Sequence, residues 1–523
     1  MVSAENNIHA KSVTLVILDG FGLAESGPTN AISTAKMPNF DSYLDNYPVM
    51  SLKASGEAVG LFGNQAGNSN IGHLTLGAGR EILTPTMRIR RAIADGSFFA
   101  NPVLLEVCNF AKNNKGALHL AGLVAGGDDI LASDHYLALL EFAKQQNIKK
   151  VFFHVFLKDD SRRYLEQLEK KINAFSLGQI ASVSGVDFAH DLSGNWQKTE
   201  KIYSVMTSAT KNKRYDNLEH AFNDAQNNSL NLSALPPALI NVSGSRTGRV
   251  KVGDSLVFFD CLESSPLQLL KSFVLPSFVK FKRAEYLQNL FVASLIPPIV
   301  TDLPMKIAFP EEEIINSLSQ VISDSGLKQV KLAETSKYVY ITYFFNGKQK
   351  NSFNNEEQVL IPSHAAALKD DPIMATAEIA SAVLRKVEAD EFSFICVNIA
   401  SPDEVAHTGD FTATVMALEA VDKALGKIVE KVLAHKGVVI ITADHGNAEN
   451  VSSAKFKDRQ HTISPVPMII IGKDFFGKVS KDSGSIANLL DIDPTAELKD
   501  VAPTILKILG LKRPEEMTGK PLI

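Results

Sequence analysis

The run Val438-Val439-Ile440-Ile441-Thr442, with the turn after it, constrains this chain more than any other stretch. The run is apolar and β-branched, so it reads as a buried strand. The chain leaves it directly into Ala443-Asp444-His445-Gly446-Asn447, which places an Asp and a His side by side on a turn at a strand end. Both residue types ligate divalent cations, and loops at strand ends are where a rigid scaffold presents chemistry. The same character recurs where Val13–Leu18 runs into Asp19-Gly20, at Asp403 with His407, and at His461 in a Gln-His-Thr setting. Together these residues supply enough ligands for two metal ions.

Strand and helix patterns alternate along most of the chain. Strands are expected at Val13–Leu18, Leu118–Val124, Val151–Leu157, Ile180–Val183, Leu256–Phe259, Tyr338–Phe345, Phe394–Ile399, Val438–Thr442 and Pro467–Gly472. Helices are expected over Ala31–Tyr47 with a break at Pro38, Met87–Leu105, Asp134–Gln146, Arg162–Ala174, Glu311–Asp324, Pro372–Ala389, Thr412–His435 and Val501–Leu509. Such alternation implies a parallel sheet with crossover helices, an α/β class. Gly56–Arg80 is glycine-rich and reads as a functional loop. The polar, Asn-rich stretch 195–243 reads as helices with long surface connections. Pro297 to Pro310 reads as a boundary. The metal-type residues fall before residue 77 or after residue 310, which predicts a discontinuous domain (1–76 with 311–523) interrupted by an inserted α/β domain (77–310), with a ligand in the cleft between them.

With 523 residues, 45% hydrophobic and 21% charged, the composition suits a globular protein of roughly two to four domains. A net charge of −5 argues against a nucleic-acid binder. Cys108, Cys261 and Cys396 lie far apart in apolar surroundings, so they read as small buried hydrophobes in a reducing cytoplasm. Polar Met1–Lys11 does not read as a signal peptide, and no apolar run long enough for a membrane span is present. A cytoplasmic monomer is expected.

Each site residue has a plainer reading beside the chemical one. Asp403 and His407 are spaced to share one helix face, though Ser401-Pro402-Asp403 also resembles a helix start. Asp444 and His445 diverge in extended geometry and so could serve two ions, or one from a turn. Ser69 lies in Gly67-Asn68-Ser69-Asn70-Ile71-Gly72-His73, where a backbone can approach a ligand closely. A metal-bound serine loses its proton more easily and becomes a nucleophile. His73 is left open between a structural part and one orienting the loop. Lys337, before an aromatic strand, could neutralise a phosphoryl oxygen.

These segments together carry a resemblance: Leu18-Asp19-Gly20-Phe21-Gly22, Ser55 to Gly60, Gly67-Asn68-Ser69 to His73, Gly77-Ala78-Gly79-Arg80, the Lys337 segment, Pro402-Asp403 to Gly409, and Thr442 to Asn447. In order, and over nearly the whole chain, they resemble the cofactor-independent (2,3-bisphosphoglycerate-independent) phosphoglycerate mutases of the alkaline phosphatase superfamily. The resemblance implies an alkaline-phosphatase-like domain with an inserted second α/β domain, two manganese ions and a small phosphorylated substrate. It implies one ion on Asp403, His407 and His461, and the other on Asp19, Ser69, Asp444 and His445. Ser69 would form a phosphoserine, Lys337 would stabilise the transferring group, and the inserted domain would grip the glycerate.

The chain departs from the family on the substrate side. The family's Gly-Gly-Val-His-Ser-His is here Gly126-Gly127-Asp128-Asp129-Ile130-Leu131, its Asp-Gly-Arg-Asp is Lys158-Asp159-Asp160-Ser161, and its Gly-Arg-Tyr-Tyr is Gly185-Val186-Asp187-Phe188. Its Met-Asp-Arg-Asp is His190-Asp191-Leu192-Ser193, and its Asn-Phe-Arg-x-Asp-Arg is Asp260-Cys261-Leu262-Glu263-Ser264-Ser265. A carboxylate-plus-phosphate substrate needs bidentate cations, and each lost charge-assisted pair is worth roughly 1.5–3 kcal/mol. Arg162 and Arg163 are the first candidates to compensate, with Lys158 and Lys198 nearby. Three activities stand as expectations: mutase, metal-dependent phosphohydrolase or phosphomutase on another substrate, or non-catalytic metal binder.

Overall fold

The structure, a computed structural model, describes residues 10–125, 130–191, 193–208, 212–241, 248–260, 266–283, 286–298, 302–451, 461–479 and 494–523. The departures at Gly126–Asp129, Leu192 and Cys261–Ser265 lie outside the described residues, as does most of the Met1–Lys11 segment. The chain packs as two compact units, 1–83 with 313–523, and 84–312.

The first unit is built on an eight-stranded sheet. Its order is Glu356–Ile361, Gln329–Glu334, Phe394–Ile399, Val13–Leu18, Val438–Thr442, Val466–Ile471, Val49–Lys53 and Ala496–Glu497. Val13–Leu18 is buried along its whole length because it lies between Phe394–Ile399 and Val438–Thr442, both parallel to it. Each such fully buried aliphatic side chain contributes about 1.5–3 kcal/mol. The sheet is mixed rather than wholly parallel, because Val466–Ile471 runs antiparallel to both its neighbours. That reversal brings the start of Val466–Ile471 to the edge where the parallel strands end. His461 therefore reaches the same edge as Asp19, Asp403 and Asp444.

Three expectations are corrected in this unit. Gly56–Arg80 is not a loop throughout: it contains a 3₁₀ turn at Gly56–Val59 and a helix at Ser69–Ala78, capped by the Asn68 side chain on Ile71 N–H. Gly72 and Gly77 are small for packing, since a Cβ on either would fall within 3.0 Å of the Asp444 or Phe345 backbone. Tyr338–Phe345 is not a strand. Tyr340–Phe344 is a π-helical turn in which Tyr340 and Phe344 stack at 5.8 Å and Thr342 donates to the Tyr338 carbonyl. The strand is Gln329–Glu334, so tertiary packing overrode local β propensity. Helix Glu311–Asp324 shortens to Leu318–Asp324 behind an N-cap at Ser317. The strands Val49–Lys53 and Glu356–Ile361 had no clear sequence signal, the second being polar and half-exposed at the sheet edge.

The second unit has its own eight-stranded sheet: Lys306–Ile307, Phe291–Ser294, Ser255–Phe258, Leu118–Leu123, Val151–Leu157, Gln179–Gly185, Ala238–Ile240 and Arg214–Tyr215. Ala238–Ile240 runs antiparallel to Gln179–Gly185, and it and Arg214–Tyr215 are strands inside the stretch expected to be helices and connections. The expected Met87–Leu105 helix is broken into Pro85–Asp95, Ser97–Ala100 and Pro102–Asn113, where Gly96 takes φ 84°. A buried polar chain crosses the sheet: His154 Nδ1 meets Ser182 Oγ at 2.8 Å, its Nε2 meets His119 Nδ1 at 3.0 Å, and His119 Nε2 meets Asp254 at 3.1 Å. Every member has a partner, as buried polar groups require. Cys108 and Cys396 are buried free thiols. No helix among the described residues is long and apolar enough to cross a membrane.

Candidate metal centre

The carboxyl ends of the parallel strands deliver the site. Asp19 follows Val13–Leu18, Lys337 follows Gln329–Glu334, and Asp444 and His445 follow Val438–Thr442. Asp403 sits in the Ser401–Ala406 helix directly after Phe394–Ile399, with His407 as its C-terminal cap. Ser69 opens its ten-residue helix, where the N-terminal dipole favours negative charge.

These side chains converge. Ser69 Oγ lies 3.4 Å from Asp19 Oδ1 and 3.0 Å from His445 Nε2. His445 Nε2 stands 3.4 Å from Asp444 Oδ2 and 3.6 Å from Asp19 Oδ1, so the adjacent Asp and His do not diverge as an extended backbone would have them. Nearby, Asp403 Oδ1 lies 3.3 Å from His407 Nε2 and 3.6 Å from His461 Nε2, and the two Nε2 atoms are 3.0 Å apart. The His445 and His461 rings stack at 3.8 Å, which joins the two groups.

Hydrogen bonds on the far side of each ring set its tautomer. His461 Nδ1–H donates to the Gly67 carbonyl at 3.0 Å and His445 Nδ1–H to the Gly446 carbonyl at 3.3 Å. Both Nε2 lone pairs are thereby aimed inward, as cation ligands require. Residues without a signal of their own in the sequence hold the carboxylates. Asn398 donates to Asp19 Oδ2 at 2.6 Å and Asn447 to Asp403 Oδ1 at 2.7 Å. His73, left open by sequence, is fully buried; its Nδ1 is 2.9 Å from the Ser69 carbonyl and 3.1 Å from Asp444 Oδ2. Its orienting contacts sit one helical turn from Ser69, a spacing that could have flagged it. Asp19, His73 and Asp444 also have ligand atoms close enough to share one ion, as do Asp19, Asp403 and His445.

Lys337 penetrates this cluster. Its Nζ lies 2.8 Å from Asp19, 2.6 Å from Asp403 and 3.1 Å from Ser69 Oγ. Burial opposes its charge, but Asp19 and Asp403 hold its pKa well above the lysine value. Burial lifts Asp19 to about 6, helped by Asp444 and opposed by Lys337. Burial acts the same way on Asp403 and Asp444, but Lys337 for the first and His445 with His73 for the second hold them below the usual carboxylate range. Burial depresses His461 to about 4, with His445 adding to the effect.

The donor set fits divalent cations. Three buried carboxylates and the inward-aimed imidazole nitrogens surround a single ammonium, and desolvation makes the carboxylate charges costly unless cations meet them. Asp444 Oδ2 accepts no hydrogen bond of good geometry. Mixed carboxylate and imidazole ligands suit manganese, zinc or magnesium.

The substrate-side candidates lie in the second unit and are engaged there. Arg162 Nη2 donates to both carboxylate oxygens of Glu219, at 2.8 Å each. Arg163 lies over the Tyr164 ring at 4.5 Å and donates to its hydroxyl.

A family model described as the metalloenzyme superfamily matches residues 11–513. The chain is 37% identical over 521 residues to the 2,3-bisphosphoglycerate-independent phosphoglycerate mutase of Moorella thermoacetica, covering 98% of each. It is 36% identical over 523 residues to the Clostridium perfringens protein of the same name, covering 98% of this chain and 99% of the relative. Among solved structures, the phosphoglycerate mutase of Leishmania mexicana at low cobalt concentration superposes with a TM-score of 0.59 at 23% identity, covering 99% of this chain and 98% of that one, a likeness of fold.

Proposed function

Because the chain belongs to the 2,3-bisphosphoglycerate-independent phosphoglycerate mutases, we propose that it interconverts 2- and 3-phosphoglycerate by phosphoryl transfer through Ser69. The carrying observation is the Ser69 hydroxyl standing within 3.4 Å of Asp19, His445 and Lys337 together, at a helix N-terminus. Asp403, His407 and His461 would hold one divalent cation, and Asp19, Ser69, Asp444 and His445 a second; manganese is the proposed metal. Cations bound there supply charge neutralisation and a lowered proton affinity at the hydroxyl.

In this reading Ser69 Oγ forms a bond to phosphorus as the ester bond to the glycerate oxygen breaks. The departing oxygen takes up a proton as Ser69 gives one up. The reverse exchange, with the other glycerate hydroxyl as acceptor, completes the isomerisation. Lys337 sits where it can follow charge on the phosphoryl oxygens, an interaction that strengthens in the transition state. Asn398 and Asn447 keep Asp19 and Asp403 turned inward. The 84–312 unit would bind the glycerate portion. A cytoplasmic monomer suits a small soluble substrate.

A second reading has its own support. At the carboxyl ends of the second unit's parallel strands stand the exposed Asp160 and Asp187, with Asp191 behind them held by Ser193, Asn195 and Gln268. Lys198 is tied to the Asp187 carbonyl at 2.8 Å and to Asp191 at 3.5 Å, and Arg162 to Glu219. This rim favours a ligand without a carboxylate, hence hydrolysis or transfer on another phosphomonoester. One experiment separates the readings: manganese-loaded protein with 3-phosphoglycerate, following 2-phosphoglycerate and free phosphate independently, then a panel of phosphomonoesters. Isomerisation supports the first reading. Phosphate release from other esters, without isomerisation, replaces it with the second.

A further inference from the structure

Glu449 lies outside the ligand set yet touches the loops that carry most of it. Its side chain is 2% exposed. Oε2 accepts from Gly22 N–H at 3.1 Å, in the loop that begins at Asp19, and from Asn447 N–H at 2.8 Å, in the loop of Asp444 and His445. Oε1 accepts from the Thr462 hydroxyl, next to His461. The Thr462 backbone is bridged to Gly446, with Thr462 N–H on the Gly446 carbonyl at 3.0 Å. The Asn447 side chain in turn donates to Asp403.

Two glycines admit this carboxylate. A Cβ on Gly22 or on Gly446 would fall under 3.0 Å from it. A buried carboxylate held by charge-assisted bonds from separate loops fixes those loops relative to one another. His461 needs such fixing most. The other ligands follow directly on strands or helices, whereas His461 sits in a loop five residues before Val466–Ile471.

We propose that Glu449, acting through Thr462, is a positioning residue that registers His461 against Asp403 and His407 and so sets the affinity of that group for a divalent cation. This rests on the reading of Asp403, His407 and His461 as cation ligands. Direct hydrogen-bond partners of metal ligands typically contribute about 10- to 100-fold in affinity; Glu449 and Thr462 act one contact further out, on the loops, so an effect at the low end of that range is expected.

The test is calorimetric titration of manganese into metal-free full-length protein, wild type and variants, with thermal unfolding of the same metal-free samples. His461→Ala identifies which binding event belongs to this group. Thr462→Val is then expected to weaken that event about 10-fold and leave the other within about threefold. Glu449→Gln is expected to weaken that event at least as much and the other as well, since Oε2 also holds the Asp19 and Asp444 loops, while Thr462→Ser keeps wild-type affinity. Should Glu449→Gln fail to fold, Thr462→Val against Thr462→Ser decides alone. Unchanged affinity in Thr462→Val, or equal weakening of every event by that variant, overturns the proposal and leaves Glu449 a brace of the fold. Absence of any manganese binding by wild type overturns instead the reading on which it rests.

Discussion

The Lys337 ammonium stands 3.1 Å from Ser69 Oγ while lying between Asp19 and Asp403, at 2.8 and 2.6 Å. One side chain thus balances two carboxylates and faces the candidate nucleophile. The loss of this charge has two separable consequences. In metal-free protein, Lys337→Ala leaves buried carboxylates uncompensated and should cost about 3–5 kcal/mol of stability. With manganese present the cost should shrink, yet kcat should remain down by about 10²- to 10³-fold. Thermal unfolding with and without metal, alongside turnover, checks both. Equal destabilisation in both states would mean that Lys337 does not share the cations' electrostatic task.

Ser69→Ala removes one oxygen from a helix whose cap is Asn68 and whose packing is made by its neighbours. Turnover should fall at least about 10³-fold, with a circular dichroism spectrum and melting temperature close to wild type. Surviving activity would show that another group accepts the phosphoryl.

Asp160 caps the start of the Ser161–Phe175 helix without a side-chain cap hydrogen bond, at the rim of the second unit. If that rim reads the glycerate carboxylate, Asp160→Arg replaces repulsion with a charge-assisted pair. The gain of about 1.5–3 kcal/mol should lower KM for 3-phosphoglycerate about 10- to 100-fold. An unaltered KM, with phosphomonoesters lacking a carboxylate turned over faster, would point to a substrate that this rim does not hold by charge.

Burial depresses His135 to about 3, with Arg90 adding to the effect, and burial also holds His154 well below the usual histidine range, aided by His119. A histidine kept neutral in the fold but free to protonate when unfolded stabilises fully above the unfolded pKa near 6.5. That contribution is lost as pH falls from about 6.5 toward the folded value. At pH 5, about 1.5 pH units below the unfolded pKa, His135 alone should cost about 2 kcal/mol. Urea midpoints of metal-free protein at pH 7 and pH 5 measure this, and His135→Gln should reduce the difference by about that amount, leaving the part due to His154. A midpoint independent of pH over that range would contradict the burial argument.

The strands at Val13–Leu18, Phe394–Ile399 and Val438–Thr442 were legible because apolar β-branched runs have few other uses, and Asp19, Asp403, Asp444 and His445 were legible because they interrupt such runs at their ends. Tyr338–Phe345 misled, since aromatic and β-branched residues fit a strand locally while the sheet position went to Gln329–Glu334. The glycines of Gly56–Arg80 suggested a loop because composition cannot distinguish a turn from a close approach of Asp444 or Phe345. The sequence by itself determined the class of fold and which residue types could ligate, because periodicity and chemistry are local properties. Only the tertiary structure decided that His461 meets Asp403, that Lys337 sits among the carboxylates, and that Glu449 ties the loops together. Those relations depend on where an antiparallel strand begins and which backbones touch, and neither is encoded in any one segment.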